Sequence, residues 1–383
     1  MNKSAAAPDP LASLFPKQTF IHAASAVQYY LVGKLPQQPF LLFNGDLSDL
    51  ARCFDEVEYT AGADFDAIVT AGSQKFMVEC RDDHSTGNGL PGSNRVPDFL
   101  NWLYSPHRKV FHDVGGIYSC LRDRSITGKI TSPDHITHTL YAYAQLDLKF
   151  SNSLANSLLS TARQYMESHQ SSPLENSPVS QRILLSQILD GKHSQRAIEL
   201  LRKTGWIDSI WPELISMNTI GQGKAEHPEG NVWEHSLAAL SFRKSYDLRL
   251  GLAVLLHDIG KPEARPEGGH RFHLHADIGA KIANRLLSRL GFPVNIIQDV
   301  TWLIKYHSIP GALTRLPTHR SGPLMEHPLF PWLLELYRCD LCATFRGPDN
   351  YYKACAVYRS FLKNNKNPFR SQDGKKLLRL LVE

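Results

Sequence analysis

The sequence predicts an α+β protein in which a small mixed α/β head precedes an all-α region. In the first 130 or so of its 383 residues, short apolar runs closed by turn residues are typical of strands. From Ser132 onward, apolar residues recur three and four positions apart, which predicts helices. A composition of 42% hydrophobic and 21% charged residues is ordinary for a globular chain of this length.

In the head, three runs are predicted strands: "FLLFNG" from Phe40, "DFDAIVTAG" from Asp64 and "SQKFMVEC" from Ser73. The polar stretch "RDDHSTGNGLPGSNRVPD", which begins at Arg81, is a glycine-rich loop. The head is therefore predicted to contain a small sheet.

The helical region begins at "SPDHITHTLYAYAQLDL", where Ser-Pro-Asp is a typical helix start. "NSLANSLLSTARQYMES" and "SQRAIELLRKTGWIDSIWPEL" continue the helical spacing, and "QDGKKLLRLLVE" predicts a short basic docking helix at the end. The predicted division is 1–130 for the head, 131–220 for a helical neck, 221–350 for a second helical domain and 351–383 for a helical tail.

Charge and cysteine content indicate which compartment and which classes of binding partner to expect. A net charge of +5 fits a nucleotide or RNA partner, although proteins without such partners carry similar charges. The six cysteines form no disulfide framework, "MNKSAAAPDPLASLFP" lacks the apolar core of a signal peptide, and no run approaches the roughly 20 apolar residues of a membrane span. We therefore expect a cytoplasmic protein without a membrane partner, and the sequence leaves the oligomeric state open.

Histidines and aspartates recur on separate helical segments in the last third of the chain. A lone helical histidine is more often structural than a ligand, but six such residues at apolar helical stretches predict one buried metal site. Imidazole and carboxylate donors suit Mn, Ni, Fe, Mg or Zn, as one or two ions. The predicted ligands are His235, His257, Asp258, His275, His307 and Asp340.

The order His, His-Asp, His, His, Asp resembles that of the HD-domain metal-dependent phosphohydrolases. The resemblance implies a four-ligand core of His235, His257, Asp258 and Asp340. His275 and His307 fall where the two-metal members of that family carry additional ligands. The predicted domain at 221–350 is accordingly an HD phosphohydrolase domain.

A metal site of this kind predicts hydrolysis of a phosphoester by metal-activated water. Asp258 is the candidate catalytic residue that bridges two metals and orients the water. Lys261 is a candidate to neutralise a phosphoryl oxygen, with a helix C-terminal cation as the alternative interpretation. The candidates for substrate contact are His273, Lys305 and Arg346.

Three further segments resemble the bacterial tRNA nucleotidyltransferases (CCA-adding enzymes) and their poly(A) polymerase relatives. These are "HPEGNVWEHSLAAL", "AIELLRKTGWIDSIWPEL" and the stretch from "VFHDVGG" to "LDLKFS". The resemblance covers about residues 105–345 and implies that the head is nucleotidyltransferase-like.

The head departs from the pattern of that family. "YYLVGK" resembles the start of the family's "YLVGGAVRD", but Lys34 replaces the second glycine and no Arg-Asp follows. The only D-x-D is Asp64 and Asp66, without a glycine-rich turn before it, and "LYSPHRKVFHDV" replaces the Arg-Arg-Asp segment. We therefore expect a degenerate head that has lost nucleotide addition.

The sequence thus predicts a metal-dependent phosphodiesterase or phosphatase that acts on a nucleotide or RNA-end phosphoester, such as a 2′,3′-cyclic phosphate. Its substrate is a nucleotide or RNA, including tRNA. Two alternatives stay open: a divergent tRNA nucleotidyltransferase or poly(A) polymerase-like enzyme that uses Asp64 and Asp66, and a non-catalytic RNA-binding module.

Overall fold

The chain folds into two compact units, residues 1–206 and 207–383. The structure is a computed structural model. It describes residues 10–60, 65–81, 92–169, 174, 177–218, 230–264, 266–267, 271–272, 274–344 and 347–364.

The first unit is built on a seven-stranded sheet in the order β3-β4-β5-β2-β1-β6-β7. Only β2 and β5 pair in parallel, and every other neighbouring pair is antiparallel. Its strands are β1 (Thr19–His22), β2 (Phe40–Asn44), β3 (Val57–Tyr59), β4 (Ala67–Ala71), β5 (Gln74–Arg81), β6 (Trp102–Ser105) and β7 (Val110–Asp113). The three predicted strands are present as β2, β4 and β5, while 82–91 of the predicted loop lies outside the described residues.

The first unit also contains helices and a short parallel pair that joins β8 (Ser125–Ile126) to β9 (Lys149–Phe150). The predicted start at Ser-Pro-Asp is confirmed, because α4 begins at Asp134. The helices that begin in the first unit are α1 (Ala23–Val32), α2 (Leu47–Cys53), α3 (Tyr118–Arg122), α4 (Asp134–Gln145), α5 (Asn152–His169), α6 (Pro178–Leu189), α7 (Ser194–Lys203) and α8 (Trp206–Ile210).

The segment "YYLVGK" lies at the end of a helix. Residues 29–32 form the last turn of α1, and Gly33 caps that helix in the left-handed region with a φ of 71°. The strand that leads into this helix is β1, and α1 follows it directly, with its first residue Ala23 at a φ of 55°. An apolar run of four residues fits a strand or a helix end equally well, so the pattern alone could not decide.

In the described part of the second unit, the elements are helices and one hairpin of β10 (Pro266–Glu267) and β11 (Arg271–Phe272). Its helices are α9 (Val232–Ser241), α10 (Leu248–Leu256), α11 (His275–Arg289), α12 (Val294–Tyr306), α13 (Thr318–Met325), α14 (Phe330–Cys342) and α15 (Asp349–Asn364). Helix α10 packs against α9, α12 and α14, and α11 packs along α12. These contacts place α10 at the centre of the unit.

The predicted fold class is confirmed: a mixed sheet precedes a helical region. The four-part division remains a prediction, and the predicted tail helix at 372–383 lies outside the described residues. Among the residues that the structure describes, no helix combines the length and the apolar character needed to cross a bilayer.

Candidate metal centre

The His-Asp pair lies where α10 ends. Apolar side chains from Leu250 to Leu256 are buried, so the helix is held in the core by its own sequence. His257 caps the helix and Asp258 follows in the turn, and the two side chains are exposed by only 1% and 2%. Burial of two polar groups at this depth requires partners.

The partners come from four other elements of the same unit. His235 lies in α9, His275 is the first residue of α11, His307 directly follows α12, and Asp340 lies in α14. The structure thus brings all six predicted ligands to one place. Their assignment as metal ligands stays a prediction.

Asp258 divides the cluster into two subsets. Its Oδ2 atom lies 3.2 Å from His257 Nε2 and 3.8 Å from His235 Nε2. Its Oδ1 atom lies 3.6 Å from His275 Nε2 and 3.9 Å from His307 Nε2. The cluster therefore contains two sets of potential ligands that share Asp258, one with His235 and His257 and one with His275 and His307. Within each set, the ligand atoms lie within 4.8 Å of one another.

Asp340 completes the first subset. Its Oδ1 atom lies 3.0 Å from His235 Nε2 and 3.8 Å from His257 Nε2. In the second subset the Nε2 atoms of His275 and His307 are 3.2 Å apart. The start of α11 and the end of α12 therefore meet, as expected for two antiparallel helices.

Backbone carbonyls orient two of the imidazoles toward the cluster. The Nδ1 atom of His257 lies 2.9 Å from the Val254 carbonyl, and that of His307 lies 2.7 Å from the Ile304 carbonyl. A proton on Nδ1 donates to each carbonyl and leaves the Nε2 lone pair for a metal. The Nε2 atom of His257 is buried and lacks a hydrogen-bond partner among the described residues, which fits a ligand atom.

Electrostatics keep both carboxylates ionised. Burial alone would raise the pKa of Asp258, but His257 and Lys261 hold it well below its usual range. Asp340 behaves in the same way, because His235 lowers its pKa against the effect of burial. Burial and the neighbouring His257 lower the pKa of His307 to about 4, so this imidazole is neutral near pH 7. Two ionised carboxylates and one neutral imidazole are thus in the protonation states that a divalent cation requires.

Gly260 allows the turn after the pair to approach α11. A Cβ atom at this position would lie 2.1 Å from the carbonyl oxygen of His275 and 2.4 Å from the amide nitrogen of Gly279. Only glycine fits such an approach. The glycine in "HDIG" therefore sets the distance between Asp258 and His275.

The other predicted site residues have different surroundings. Lys261 Nζ lies 2.6 Å from Asp258 Oδ2, inside the cluster. Lys305 is exposed on α12, and its Nζ lies 3.6 Å from Asp277 Oδ1. His273 and Arg346 lie outside the described residues.

The D-x-D of the head has one aspartate, Asp66, among the described residues, and this aspartate is bound by protein groups. Asp64 lies outside the described residues, while the carboxylate of Asp66 accepts from the Cys80 amide at 2.8 Å and from Arg95 at 3.0 Å. The central strand β2 consists of Phe-Leu-Leu-Phe-Asn and contributes no carboxylate. Asp66 is thus engaged in holding β4 and β5 together.

The head contains a buried polar group that was not predicted from the sequence. His22 is fully buried and its Nε2 atom lies 3.6 Å from Glu79 of β5, whose carboxylate accepts from Ser93 at 2.7 Å. His138 of α4 lies beside His22, with ring centroids 6.3 Å apart. Each residue stands alone in an ordinary strand or helix pattern, so only their contacts reveal the group.

Comparison with known proteins relates part of the helical unit to the HD domain. Residues 232–333 match the family model of the HD domain. The chain is 31% identical over 192 residues to a CC-adding tRNA nucleotidyltransferase of Thermus thermophilus, which covers 47% of this chain and 43% of that protein. It is 34% identical over 178 residues to an A-adding tRNA nucleotidyltransferase of Deinococcus radiodurans, covering 43% of this chain and 39% of that protein.

A solved structure shows the same fold over most of the chain. The CCA-adding enzyme of Bacillus stearothermophilus in complex with CTP aligns with a TM-score of 0.52 at 12% identity, covering 90% of this chain and 78% of that chain. The predicted resemblance to HD proteins and tRNA nucleotidyltransferases is thereby confirmed. So is the predicted divalent-metal cofactor, for which the cluster supplies the donor atoms.

The chain spans less than half the length of these curated relatives, 43% of one and 39% of the other. Both names describe an enzyme of the tRNA nucleotidyltransferase type, and neither name mentions a phosphohydrolase. The comparisons therefore favour the alternative function over the predicted hydrolase.

Proposed function

We propose that the chain is a metal-dependent phosphohydrolase that acts on a nucleotide or RNA-end phosphoester, such as a 2′,3′-cyclic phosphate. The observation that carries the proposal is the position of Asp258, whose two oxygens face two separate pairs of histidine nitrogens at 3.2–3.9 Å. A shared carboxylate of this kind is what a dinuclear hydrolytic site needs.

Each residue of the cluster has a role in this proposal. His235, His257 and Asp340 would hold one cation, His275 and His307 a second, and Asp258 both. A bound divalent cation lowers the pKa of water and offsets charge on a phosphoryl group. Asp258 accepts a hydrogen bond from the attacking water, and Lys261, at 2.6 Å from that carboxylate, supplies a positive charge beside the phosphoryl oxygens.

The substrate class rests on two observations. The named relatives act on tRNA, and this chain matches them over 47% and 43% of its length. The net charge of +5 also favours a polyanion. An RNA end or a nucleotide satisfies both.

The test is hydrolysis of 2′,3′-cyclic AMP by the full chain, with EDTA and after addition of Mn²⁺, Ni²⁺ or Mg²⁺. We expect turnover that EDTA abolishes and that one of these ions restores. A protein that contains the metal yet releases no product from 2′,3′-cyclic AMP, nucleoside 2′-phosphates or RNA ending in a phosphate would contradict the proposal.

A tRNA nucleotidyltransferase is the second candidate, because the names of the relatives favour it. The described part of the head argues against it, since β2 lacks carboxylates and Asp66 is bound by Arg95. Incorporation of labelled CTP or ATP into tRNA that lacks its 3′ end decides between the two. Incorporation that disappears in Asp66→Asn would establish the transferase.

A further inference from the structure

An open groove of about 700 Å³ runs between α11 and α12, the helices that begin at His275 and end just before His307. Along the chain it starts two residues after His275 and one residue before His307, at Asp277 and Tyr306. On α11 it extends to Arg285, which is about 12 Å farther at the rise of an α-helix. Residues two positions apart on a helix point to different faces, so the groove lies on a different face of α11 from His275.

Basic side chains line the groove. Lys281 and Arg285 follow each other at helical spacing on α11, both are exposed, and neither has an acidic partner at ion-pair distance among the described residues. Lys305 reaches the same groove from α12, where it pairs with Asp277 at 3.6 Å. Three cations against one carboxylate favour an anionic occupant.

Aromatic side chains lie next to these cations. Trp302 and Tyr306 are one turn apart on α12 and only partly buried, with ring centroids 5.1 Å apart. His327 stacks on Trp302 at 4.0 Å with an interplanar angle of 13°, so the indole is held in place. Fixed aromatic faces beside cations are how proteins bind the bases and phosphates of single strands.

We propose that this groove binds a single-stranded segment of an RNA substrate. Bases stack on Trp302 and Tyr306, and phosphates contact Lys281, Arg285 and Lys305. The inference rests on the proposed function for the class of substrate, whereas binding in the groove is independent of hydrolysis. RNA is favoured over an acidic peptide because every nucleotide combines a phosphate with a base that can stack on an aromatic face.

The test is fluorescence anisotropy with a fluorescein-labelled single-stranded hexamer of adenylate, measured in EDTA so that no hydrolysis occurs. We expect Lys281→Glu/Arg285→Glu to weaken binding at least tenfold and to reduce the salt slope by roughly 1.4, since each lost contact contributes about 0.7 for single strands. Trp302→Leu, which keeps apolar bulk under His327, should weaken binding about tenfold. The matched control is Arg320→Glu/Lys353→Glu, with the same charge change on exposed positions of α13 and α15.

Unchanged affinity in both groove variants would overturn the proposal, as would an equal loss in the control variant or equal displacement of the hexamer by polyglutamate. Hydrolysis of 2′,3′-cyclic AMP, which is too small to span the groove, is measured in parallel. Loss of hexamer binding with intact turnover of this small substrate supports the groove. Hexamer binding by a wild type that shows no hydrolysis supports the groove while the proposed function fails.

Discussion

Both units bury a histidine beside a carboxylate, but only one of the two arrangements can act as a metal site. In the head, Glu79 accepts from the Ser93 hydroxyl at 2.7 Å and His22 lies 3.6 Å away. In the helical unit, Asp258 is surrounded by four imidazole nitrogens. Among the described residues, groups of three potential ligands occur in the helical unit and not in the head.

The difference shows that the number of converging donors matters more than burial. A protein hydroxyl satisfies the buried carboxylate of the head, which makes that group part of the core. The histidine nitrogens around Asp258 converge from three helix ends and the middle of a fourth helix. Removal of one side chain should therefore change metal binding at the Asp258 cluster and have no such effect at the Glu79 group of the head.

The largest effect is expected for Asp258→Asn, because this side chain belongs to both subsets. The amide removes the shared negative charge, so both subsets lose affinity and metal content should fall to less than about a tenth of the wild-type value. Metal analysis of the purified protein measures this. Wild-type metal content in the variant would mean that the carboxylate does not hold the ions.

His307→Ala should affect one subset only. We expect the affinity of the His275 subset to fall at least about tenfold while the His257 subset retains its ion. Calorimetric titration with Mn²⁺ measures both sites. His319→Ala, at an exposed position of α13, is the control and should bind like the wild type. A parallel loss at both subsets would contradict the division.

Gly260→Ala tests how the cluster is held together. Its Cβ would lie 2.1 Å from the His275 carbonyl, so we expect the free energy of unfolding to fall by about 1–3 kcal/mol and the second subset to lose affinity. Gly322→Ala is the control, since a Cβ there meets Phe361 at an ordinary 3.6 Å. Urea unfolding compares them, and equal stability of the two variants would refute the close approach.

The smallest effect concerns the pH dependence of the head. Burial lowers the pKa of His22 and of His138 from 6.5 to about 3. Between pH 6.5 and about pH 3 the unfolded chain binds more protons than the folded chain. The stabilisation from the neutral histidines is therefore complete above pH 6.5. Below it, the free energy of unfolding falls by about 1.4 kcal/mol per pH unit for each histidine. Glu79, whose pKa is raised by burial, acts in the opposite direction in the acidic range.

His138→Leu isolates this effect, because the metal cluster and Glu79 are common to both proteins. The difference in unfolding free energy between variant and wild type should shift in favour of the variant from pH 7.5 to pH 5.5. Urea unfolding at the two pH values gives that shift. A difference that does not change with pH would show that His138 is not buried in its neutral form.

The sequence predicted the parts of the molecule that depend on local pattern. Strands β2, β4 and β5 follow from their apolar runs, and α4 follows from its Ser-Pro-Asp start. Strands β1 and β6 were missed because they are four residues long and are defined by their pairing partners. The two-sided arrangement around Asp258 and the approach of Gly260 to α11 depend on packing between distant elements, which no local pattern records. The basic and aromatic residues of the groove recur at helical spacing, so the sequence shows that they share a helix face. Exposed charges at that spacing are usually only solvated, so the spacing alone does not predict a binding site.

The most direct test of the central claim compares Asp258→Asn with Asp66→Asn in hydrolysis of 2′,3′-cyclic AMP at saturating metal. We expect Asp258→Asn to lose at least about 100-fold in rate, because a charged group at the reacting centre is removed. Asp66→Asn should stay within about twofold of the wild type, because Asp66 contacts only groups of the head in the described structure. Full activity of Asp258→Asn, or a comparable loss in Asp66→Asn, would contradict the assignment of the reaction to the helical unit.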